Sequence, residues 1–483
     1  MSNDDDELYH GASERWFTSG GLDGQLIPER PQAASVREPP RDTPVHAVTD
    51  VLVVGGGPAG CAAALAARRL GAEVLLVERY NHLGGLSTGG LVVWIDRMSD
   101  WTGRQVITGF GSELLQRLPP EAIAGAPPEL WGSQTEQAVA HWRERQGAFR
   151  GVVTWSPMVD PEWLKLASAE LLADAGVRFQ LHCWAVDVVL DGRRIGGVIF
   201  ESKEGRGAIL ARVVIDATGD LDICRRAGVA FESDADSPDS VQHCLNTAWT
   251  WAGVDVKRWL EFKRGDPGAH RALMSTAREA LGYAERPVVG WRDDIVVFMG
   301  PRLSGYSGLD VGDLTRVEFE SRRRMFAHLD WFRHHAPGFE RAWLLLSAPQ
   351  IGVRHTGRVI GRRKMVAEEW KRGVRHRDEI GVSPSPSQKF ANVSVPYGAI
   401  VPVGLDNVLV AGRHIASDPQ TQSFMREIPQ CWLTGQAAGV AGALCAADGS
   451  EPIGIDVARL QRELKRQGVY LQSADTRASV AAV

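Results

Sequence analysis

The sequence predicts an α/β fold, and three observations carry the prediction. An apolar strand, a glycine turn, an alanine-rich helix and a second apolar strand succeed one another in "DVLVVGGGPAGCAAALAARRLGAEVLLVERY", a βαβ unit at the expected length. Three strand-like runs, "HCWAVDVVL", "IGGVIFES" and "AILARVVIDATGD", are split by the turn signals Asp191-Gly192 and Glu204-Gly205 and read as a β-meander. A last strand, "NVLVAGRHI", and a small-residue helix, "GQAAGVAGALCAA", stand near the C-terminus. Together they describe a Rossmann-type nucleotide-binding domain, discontinuous in sequence, with a mixed α/β domain inserted into it.

Composition narrows the function classes. With 483 residues, 44% hydrophobic content and a formal net charge of -5, the chain can bury a large core and divide into two or three domains. Binding phosphate backbones needs a basic face, and 54 Lys and Arg against 59 Asp and Glu argue against nucleic acid as a partner. The start, "MSNDDDELYHG", is acidic where an export signal would be basic and then apolar. No apolar run approaches the roughly 18 residues of a spanning helix, so the expectation is a cytoplasmic protein without a membrane partner. Cys61, Cys183, Cys224, Cys244, Cys431 and Cys445 form no C-x-x-C pair, which argues against a disulfide framework, a zinc site or a dithiol motif, and no metal is expected.

Taken in order, residues 1–46 carry five prolines and many charges and read as an extended or mobile arm. Residues 47–227 form the first part of the nucleotide-binding domain, with the meander at 182–215. Within it "DPEWLKLASAELLADAGV" reads as a helix, capped by Asp160, begun by Pro161 and stopped by Gly176. Residues 228–391 mix tryptophan-rich strands with charged helical pieces such as "RVEFESRRRMFAHLDWFRHH" and read as the substrate domain. Residues 392–447 return the closing strand and helix, and 448–483 are a C-terminal tail. No period of 20 to 50 residues marks a repeat protein.

The glycine turn is the chemical centre of this pattern. Gly55, Gly57 and Gly60, with Pro58 and Ala59 between, satisfy G-x-G-x-x-G directly after the strand and at the head of the helix. The first glycine permits the tight turn, the second lets a pyrophosphate approach the backbone, and the third removes a side chain where helix and strand pack. Free N–H groups and the positive helix end then face the phosphates. Glu78, 18 residues after Gly60, stands where an acid hydrogen-bonds a ribose diol. These features alone leave FAD and NAD equivalent, since both present the same ADP half.

The stretch that follows, "VERYNHLGGLSTGG", resembles the FAD-dependent oxidoreductases of the glutathione-reductase-type fold, in the subgroup related to fumarate reductase and succinate dehydrogenase flavoproteins. Members run "GGGPAG" and then "VER" with "LGG" about five residues later. Three further blocks carry the resemblance: "VVIDATGDLD", "NVLVAGRHI" and "REIPQCWLTGQAAG". The resemblance implies FAD as cofactor. It implies contacts from Arg79, Gly84, Gly85, Leu86 and Ser87 after Glu78, from Val186 in the first meander strand, and from Ala217, Thr218, Gly219 and Asp220 in the second motif. It adds Gly412 and Arg413 in the third, and Gln436 and Ala437 where a helix start near Gly435 would face the flavin and stabilise charge gained there. No second G-x-G-x-x-G is present for a pyridine nucleotide, and His82, which precedes the glycines, reads as a bystander rather than a covalent flavin link.

Candidate chemistry comes from the same resemblance. "IGVRHTGRVIG" is similar to a block usually written G-I-R-E-T-R-R-I-V-G; Arg354 and Arg358 match, while His355 replaces a Glu and Gly357 an Arg. His355, with an ordinary pKa near ~6.5, reads as a base or substrate ligand, or else as a histidine hydrogen-bonded at a strand end. Arg354 and Arg358 suit a carboxylate, a phosphate or an enolate, or internal salt bridges. Arg426 matches the arginine of the closing block and reads as an active-site cation or a structural ion pair; His414 carries the same two readings. Thr247, Trp249 and Trp251 would share one strand face, either as an aromatic wall of the substrate cavity or as core. Trp249-Thr250-Trp251 lacks the Ile-Pro that completes the halogenase W-x-W-x-I-P. The expected protein is an FAD enzyme transferring a hydride between a small anionic or aromatic molecule and flavin N5, as dehydrogenase or oxidase, with homo-oligomerisation left open. The alternatives are an NAD(P)H-fed flavin monooxygenase or C=C reductase, and an electron-transfer flavoprotein subunit working with a protein partner.

Overall fold

A computed structural model describes residues 35–233, 244–282, 284–300 and 303–472. Most of the predicted arm and the end of the predicted tail lie outside the described residues. The main sheet is built from β1 (Val45–Val54), β2 (Val74–Val77), β3 (Arg178–Gln180), β4 (Trp184–Asp191), β5 (Arg194–Ser202) and β6 (Gly205–Asp216). Its strand order is β3-β2-β1-β6-β5-β4. A seventh strand, Val408–Val410, is parallel to the end of β6. The meander β4-β5-β6 is antiparallel, as its turn signals require, while β3, β2, β1 and β6 run parallel.

Register aligns the strand ends. Val54 pairs with Val77 on one side and Asp216 on the other, and Asp216 pairs with Val410. Four strands therefore stop level, and the turns that follow them share one edge of the sheet, where open α/β sheets place their ligands.

The β1–β2 crossover contains α1 (Pro58–Arg68), whose residues Ala59 to Ala67 are all buried. α2 (Pro161–Asp174) forms where its signals place it, with Asp160 accepting from the Glu162 and Trp163 amides. α1 is covered by the long helix Ile428–Asp448, which is buried from Ile428 to Ala446 and ends at Gly449 in the left-handed region. A Cβ at Gly435 would lie 2.1 Å from the Ala59 carbonyl oxygen, and one at Gly439 2.1 Å from that of Ala63. Small residues spaced four apart on both helices thus let two backbones touch.

The inserted part differs from its sequence reading. β7 (Cys244–Asn246) and β8 (Trp249–Ala252) are separate strands in different sheets rather than one alternating strand. β8 lies between Ile295–Phe298 and Trp343–Ser347. Trp249 and Trp251 have no exposed surface. They pack on Phe298, with ring centroids 5.1 and 4.3 Å apart, and Trp251 meets Phe332 and Phe339. The aromatic wall is therefore the core of this domain. The charged piece forms α3 (Val311–His335), buried on the side of Val317, Met325, Leu329 and Phe332.

Two boundaries move as well. Glu379–Ser383, assigned by sequence to the insertion, forms a strand whose Ile380 and Val382 belong to the main core. In the predicted tail, Val457–Arg466 is a helix capped by Asp456, and Leu460 and Leu464, four apart, are buried in that core. The reason is the same in both: the exposed side of Ile428–Asp448 has to be covered, and local apolar spacing does not reveal which distant segment covers it.

Gly435→Ala forces a methyl group into the Ala59 carbonyl. We expect a loss of about 1–3 kcal/mol, read as a lowered urea midpoint at unchanged slope.

Candidate functional site

The turn after β1 is shaped by absent side chains. Gly55 has φ +103°, and a Cβ at Gly60 would sit 1.7 Å from the Gly55 carbonyl oxygen. Gly57 differs: a Cβ there meets nothing within 4 Å. It precedes Pro58 at the start of α1, whose first amides receive no side-chain cap. Gly84 and Gly85 both have positive φ, and a Cβ at Gly85 would come 2.8 Å from the Gly57 Cα. The Gly84 amide donates to the Gly56 carbonyl over 2.8 Å, and Ser87 Oγ donates to the Gly84 carbonyl over 2.7 Å. Two glycine turns therefore lie back to back, with Leu86 packed over Gly90.

His82 belongs to this packing. Its ring fills the place of a side chain at Gly89, where a Cβ would be 2.0 Å from Nε2, and it stacks on Tyr80 at 5.6 Å. Burial holds its pKa below the ordinary value. A buried ring packed in this way shapes the turn.

Beside the turn, Glu78 is pinned by two backbone amides: Oε2 accepts from Gly56 at 2.6 Å and Oε1 from Tyr80 at 2.8 Å. Each oxygen keeps a further acceptor site. Glu78 forms one wall of a cleft shared with Arg79, Trp184, Ala185, Thr218 and Asp222. Cys183 donates its amide to the Glu78 carbonyl, which places Trp184 next to the acid. Trp184 is 53% exposed, and the Arg79 guanidinium lies 5.0 Å from the Tyr80 ring and 6.0 Å from Trp184. Val186 sits at the register break between Ala185 and Asp187, a bulge that leaves it out of the β4-β5 pairing.

The end of β6 is organised by two acids. Asp216, fully buried, accepts from Thr218 N and Oγ1 and from the Ile223 and Cys224 amides. The Ala217 amide continues the strand by donating to Val54. Asp220 Oδ1 accepts from Arg413 Nη2 and from Thr356 Oγ1, both at 2.9 Å. Burial pushes the Asp220 carboxyl up, but Arg413 and Arg79 with the Thr356 hydroxyl outweigh it and hold it below the ordinary carboxylate range. A Cβ at Gly219 would strike the Arg413 guanidinium at 2.6 Å. At Asp222 the balance falls the other way: burial, then Asp220 and Asp216, push it up to about 6 against the pull of Arg79 and Arg226.

Gly412, φ +102°, donates its amide to Thr434 Oγ1 over 3.1 Å. His414 is structural: Nε2 donates to the Asp216 carbonyl over 3.0 Å, and burial lowers its pKa. The closing helix requires a correction, because it starts at Ile428 and not near Gly435. Gln436 and Ala437 lie two turns inside it. Gln436 is spent on the Phe110 amide and the Gln467 carbonyl, and Ala437 is core. Neither faces the sheet edge through a helix end; the first turn, Ile428 to Gln430, does. Pro429 is tolerated in a first turn and marks that start.

The four catalytic candidates separate. Arg358 is 1% exposed, donates to His355 Nε2 over 3.1 Å and faces Glu232 at 3.5 Å, which Lys364 also pairs. Arginine always donates, so its bond occupies the Nε2 lone pair and leaves His355 as the Nδ1–H tautomer. Of the two readings that each residue carried, this geometry fits the internal one: Arg358 is committed inside the protein, and it occupies His355 Nε2. Gly357 replaces the usual Arg because the Arg225 side chain occupies that space; a Cβ would meet Arg225 Nη2 at 2.7 Å. Arg225 donates to the Thr356 carbonyl over 2.9 Å. The Arg354 carbonyl accepts from Gln422 Nε2 over 3.2 Å, and the same amide lies 3.4 Å from the Arg413 carbonyl. Arg426, at the mouth of the closing helix, forms an ion pair with Glu427 at 3.1 Å.

Thr356, Gln422, Asp216, Asp222 and Trp184 were not singled out by sequence. Asp216 and Asp222 flank recognised residues in "VVIDATGDLD" and were legible by position; Gln422 and Trp184 gain meaning only from their neighbours in space. Among the described residues no group of three or more His, Cys, Asp or Glu is arranged for a metal, and no helix is long and apolar enough to cross a membrane.

A model of the family "FAD dependent oxidoreductase" matches residues 50–464. Two digeranylgeranylglycerophospholipid reductases of Methanopyrus kandleri are 29% identical over 43% of this chain and 31% identical over 44%. The chain spans about half the length of these curated relatives, 46% and 50%. A thiamine thiazole synthase of Aeropyrum pernix is 29% identical over 36% of this chain and 56% of its own. Among solved structures, a geranylgeranyl bacteriochlorophyll reductase-like protein of Thermoplasma acidophilum aligns over 87% of this chain and 83% of its own, with 15% identity and a TM-score of 0.42.

Asp222 yields a prediction with a definite sign. Its folded pKa, about 6, lies above the ordinary 3.8, so the folded state holds a proton that the unfolded chain releases between these values. Stability contributed by this group falls as pH rises from about 4 to 6 and stays low above. Asp222→Asn should stabilise the cofactor-free protein by about 1–3 kcal/mol at pH 7.5, with the gain shrinking toward pH 4.5, read by urea unfolding at both pH values.

Proposed function

The chain belongs to the FAD-dependent oxidoreductase family, and from that premise we propose that it transfers a hydride between a small organic substrate and N5 of its cofactor, FAD, as a dehydrogenase or oxidase. One observation carries the reading. Glu78 on the β2 side and Gly412 on the opposite side flank a single glycine turn at a level sheet edge, so a dinucleotide centred on that turn reaches both.

The residues fit the cofactor. Gly57 faces open space at an uncapped helix start, which suits a pyrophosphate. Glu78 has acceptor capacity left for a ribose diol, and Arg79 and Trp184 offer a cation and an indole face to the adenine. Bound FAD supplies the two-electron exchange; the chain supplies place and charge. The first turn at Ile428 sets amides and the positive helix end toward charge gained by the flavin. Arg354 and Arg426 are assigned to an anionic group of the substrate, and His355, held by Arg358, to a hydrogen-bond donor through Nδ1.

The finer placing, in the subgroup related to fumarate reductase and succinate dehydrogenase flavoproteins, rests on the order of the four sequence blocks. The same reading makes 228–391 the substrate-facing insertion and the protein a cytoplasmic one, with homo-oligomers allowed. A second reading has one observation in its favour: both Methanopyrus kandleri relatives are named reductases, which fits an NAD(P)H-fed reductase.

Reconstitution with FAD tests the premise, and bound protein should show the flavin absorption bands; their absence after reconstitution removes the proposal. Anaerobic mixing separates the readings. Bleaching by an organic metabolite and not by NAD(P)H supports the dehydrogenase, and rapid bleaching by NAD(P)H alone supports the reductase. Arg354→Ala should slow substrate-driven bleaching at least about tenfold with FAD occupancy intact. Trp184→Ala should weaken FAD about tenfold and leave FMN, which lacks adenine, unchanged.

A further inference from the structure

Helix Ile428–Asp448 and α1 run parallel, since Gly435 meets Ala59 and Gly439 meets Ala63. The first begins seven residues before Gly435 and α1 one residue before Ala59. The six-residue difference, at ~1.5 Å per residue, carries the closing helix ~9 Å past the phosphate cradle. The projection lies on the Gly412 side, away from Glu78.

Gln430 is the third residue of that projecting turn and is 2% exposed. Its Nε2 donates to Ser383 Oγ over 3.0 Å, while Ser383 Oγ donates onward to the Pro384 carbonyl over 3.1 Å. The serine hydrogen is thereby used, its oxygen must accept, and the amide orientation of Gln430 is fixed. Gln430 Oε1, turned away from Ser383, is buried without a hydrogen-bond donor among the described residues. Long helix side chains lean toward the N-terminus, which sets this oxygen at the projecting end. A buried amide oxygen in that state costs free energy until a donor reaches it.

Resting on the FAD reading, we propose that Gln430 Oε1 accepts a hydrogen bond from N3–H of the flavin pyrimidine ring. With the pyrophosphate at Gly57 and the adenosine at Glu78, the flavin half extends along the projecting turn. The pyrimidine edge presents one N–H between two carbonyls. The turn presents the complement: an acceptor in Gln430 and, as donors, the Ile428 and Gln430 amides, which precede the first intrahelical bonds, Pro429 having no N–H. Gln430 thus selects a flavin with a free N3–H and fixes the ring against the helix end.

The test uses the full chain freed of flavin and titrated with FAD, 3-methyl-FAD and ADP, followed by flavin fluorescence and equilibrium dialysis. The wild type should bind 3-methyl-FAD about tenfold more weakly than FAD. Gln430→Ala should bind FAD about tenfold more weakly than the wild type and treat the two flavins alike within about twofold. Its ADP affinity, read at the Glu78 cleft, should be unchanged. Gln430→Glu, which restores an acceptor, should retain the preference. Equal binding of the two flavins by the wild type overturns the proposal, as does a preference that persists in Gln430→Ala. A wild type that binds neither FAD nor ADP instead overturns the proposed function.

Discussion

Asp220 fastens the site together. Its carboxylate joins the end of β6 to Arg413, which follows the Val408–Val410 strand, and to Thr356 in the insertion. Segments separated by 136 and 193 residues in sequence are thereby fixed at one point. Arg225 doubles the link by donating to the Thr356 carbonyl and the Asp220 carbonyl. Breaking one partner of a buried pair leaves an uncompensated charge, at a cost of about 3–5 kcal/mol, so the junction resists being opened from any one side. Asp216, four residues earlier, shapes the turn that delivers Asp220 by holding Thr218 and the amides of Ile223 and Cys224. Leu221 takes a left-handed φ of 60° to complete that turn, a strain that the four bonds to Asp216 offset.

What sequence reveals and what it conceals follows from range. The βαβ unit, the meander and the cap at Asp160 depend on neighbours within a few residues, and their residue types declare them. The start of the closing helix was misplaced because glycine and alanine around Gly435 look like a helix entrance. Those residues are small to fit against Ala59 and Ala63, a contact with residues some 376 positions away. The tryptophans of β8 show the same limit: alternation fixes a shared face, but the partners Phe298, Phe332 and Phe339 decide that the face is core. His355 and Arg358 stand three residues apart in one block, and only their 3.1 Å contact shows that they pair and which of them donates.

The glycines after Glu78 illustrate how one position constrains another. Gly85 is small because Gly57 lies beneath it, and Gly89 is small because the His82 ring occupies its side-chain space. The apparent flexibility of "GGLSTGG" is therefore close packing, since each missing side chain is replaced by a defined neighbour; at Gly57, in the facing turn, nothing lies within 4 Å.

The two sides of the cradle also differ in kind. Toward Glu78 the cleft carries Arg79, Asp222 and a half-exposed Trp184, groups that solvent and salt screen. Toward Gly412 the walls are buried, and beyond the matched Asp220–Arg413 pair they are uncharged: His414 and Thr434 have no exposed surface, and Gln422 and Gln430 are almost fully enclosed. A helix end acting in such a dry region is far stronger than the same end in water, because the surrounding dielectric falls and no solvent must reorient. The arginine that approaches that end, Arg426, is paired with Glu427, so the backbone amides of the first turn add to a locally balanced pair of charges.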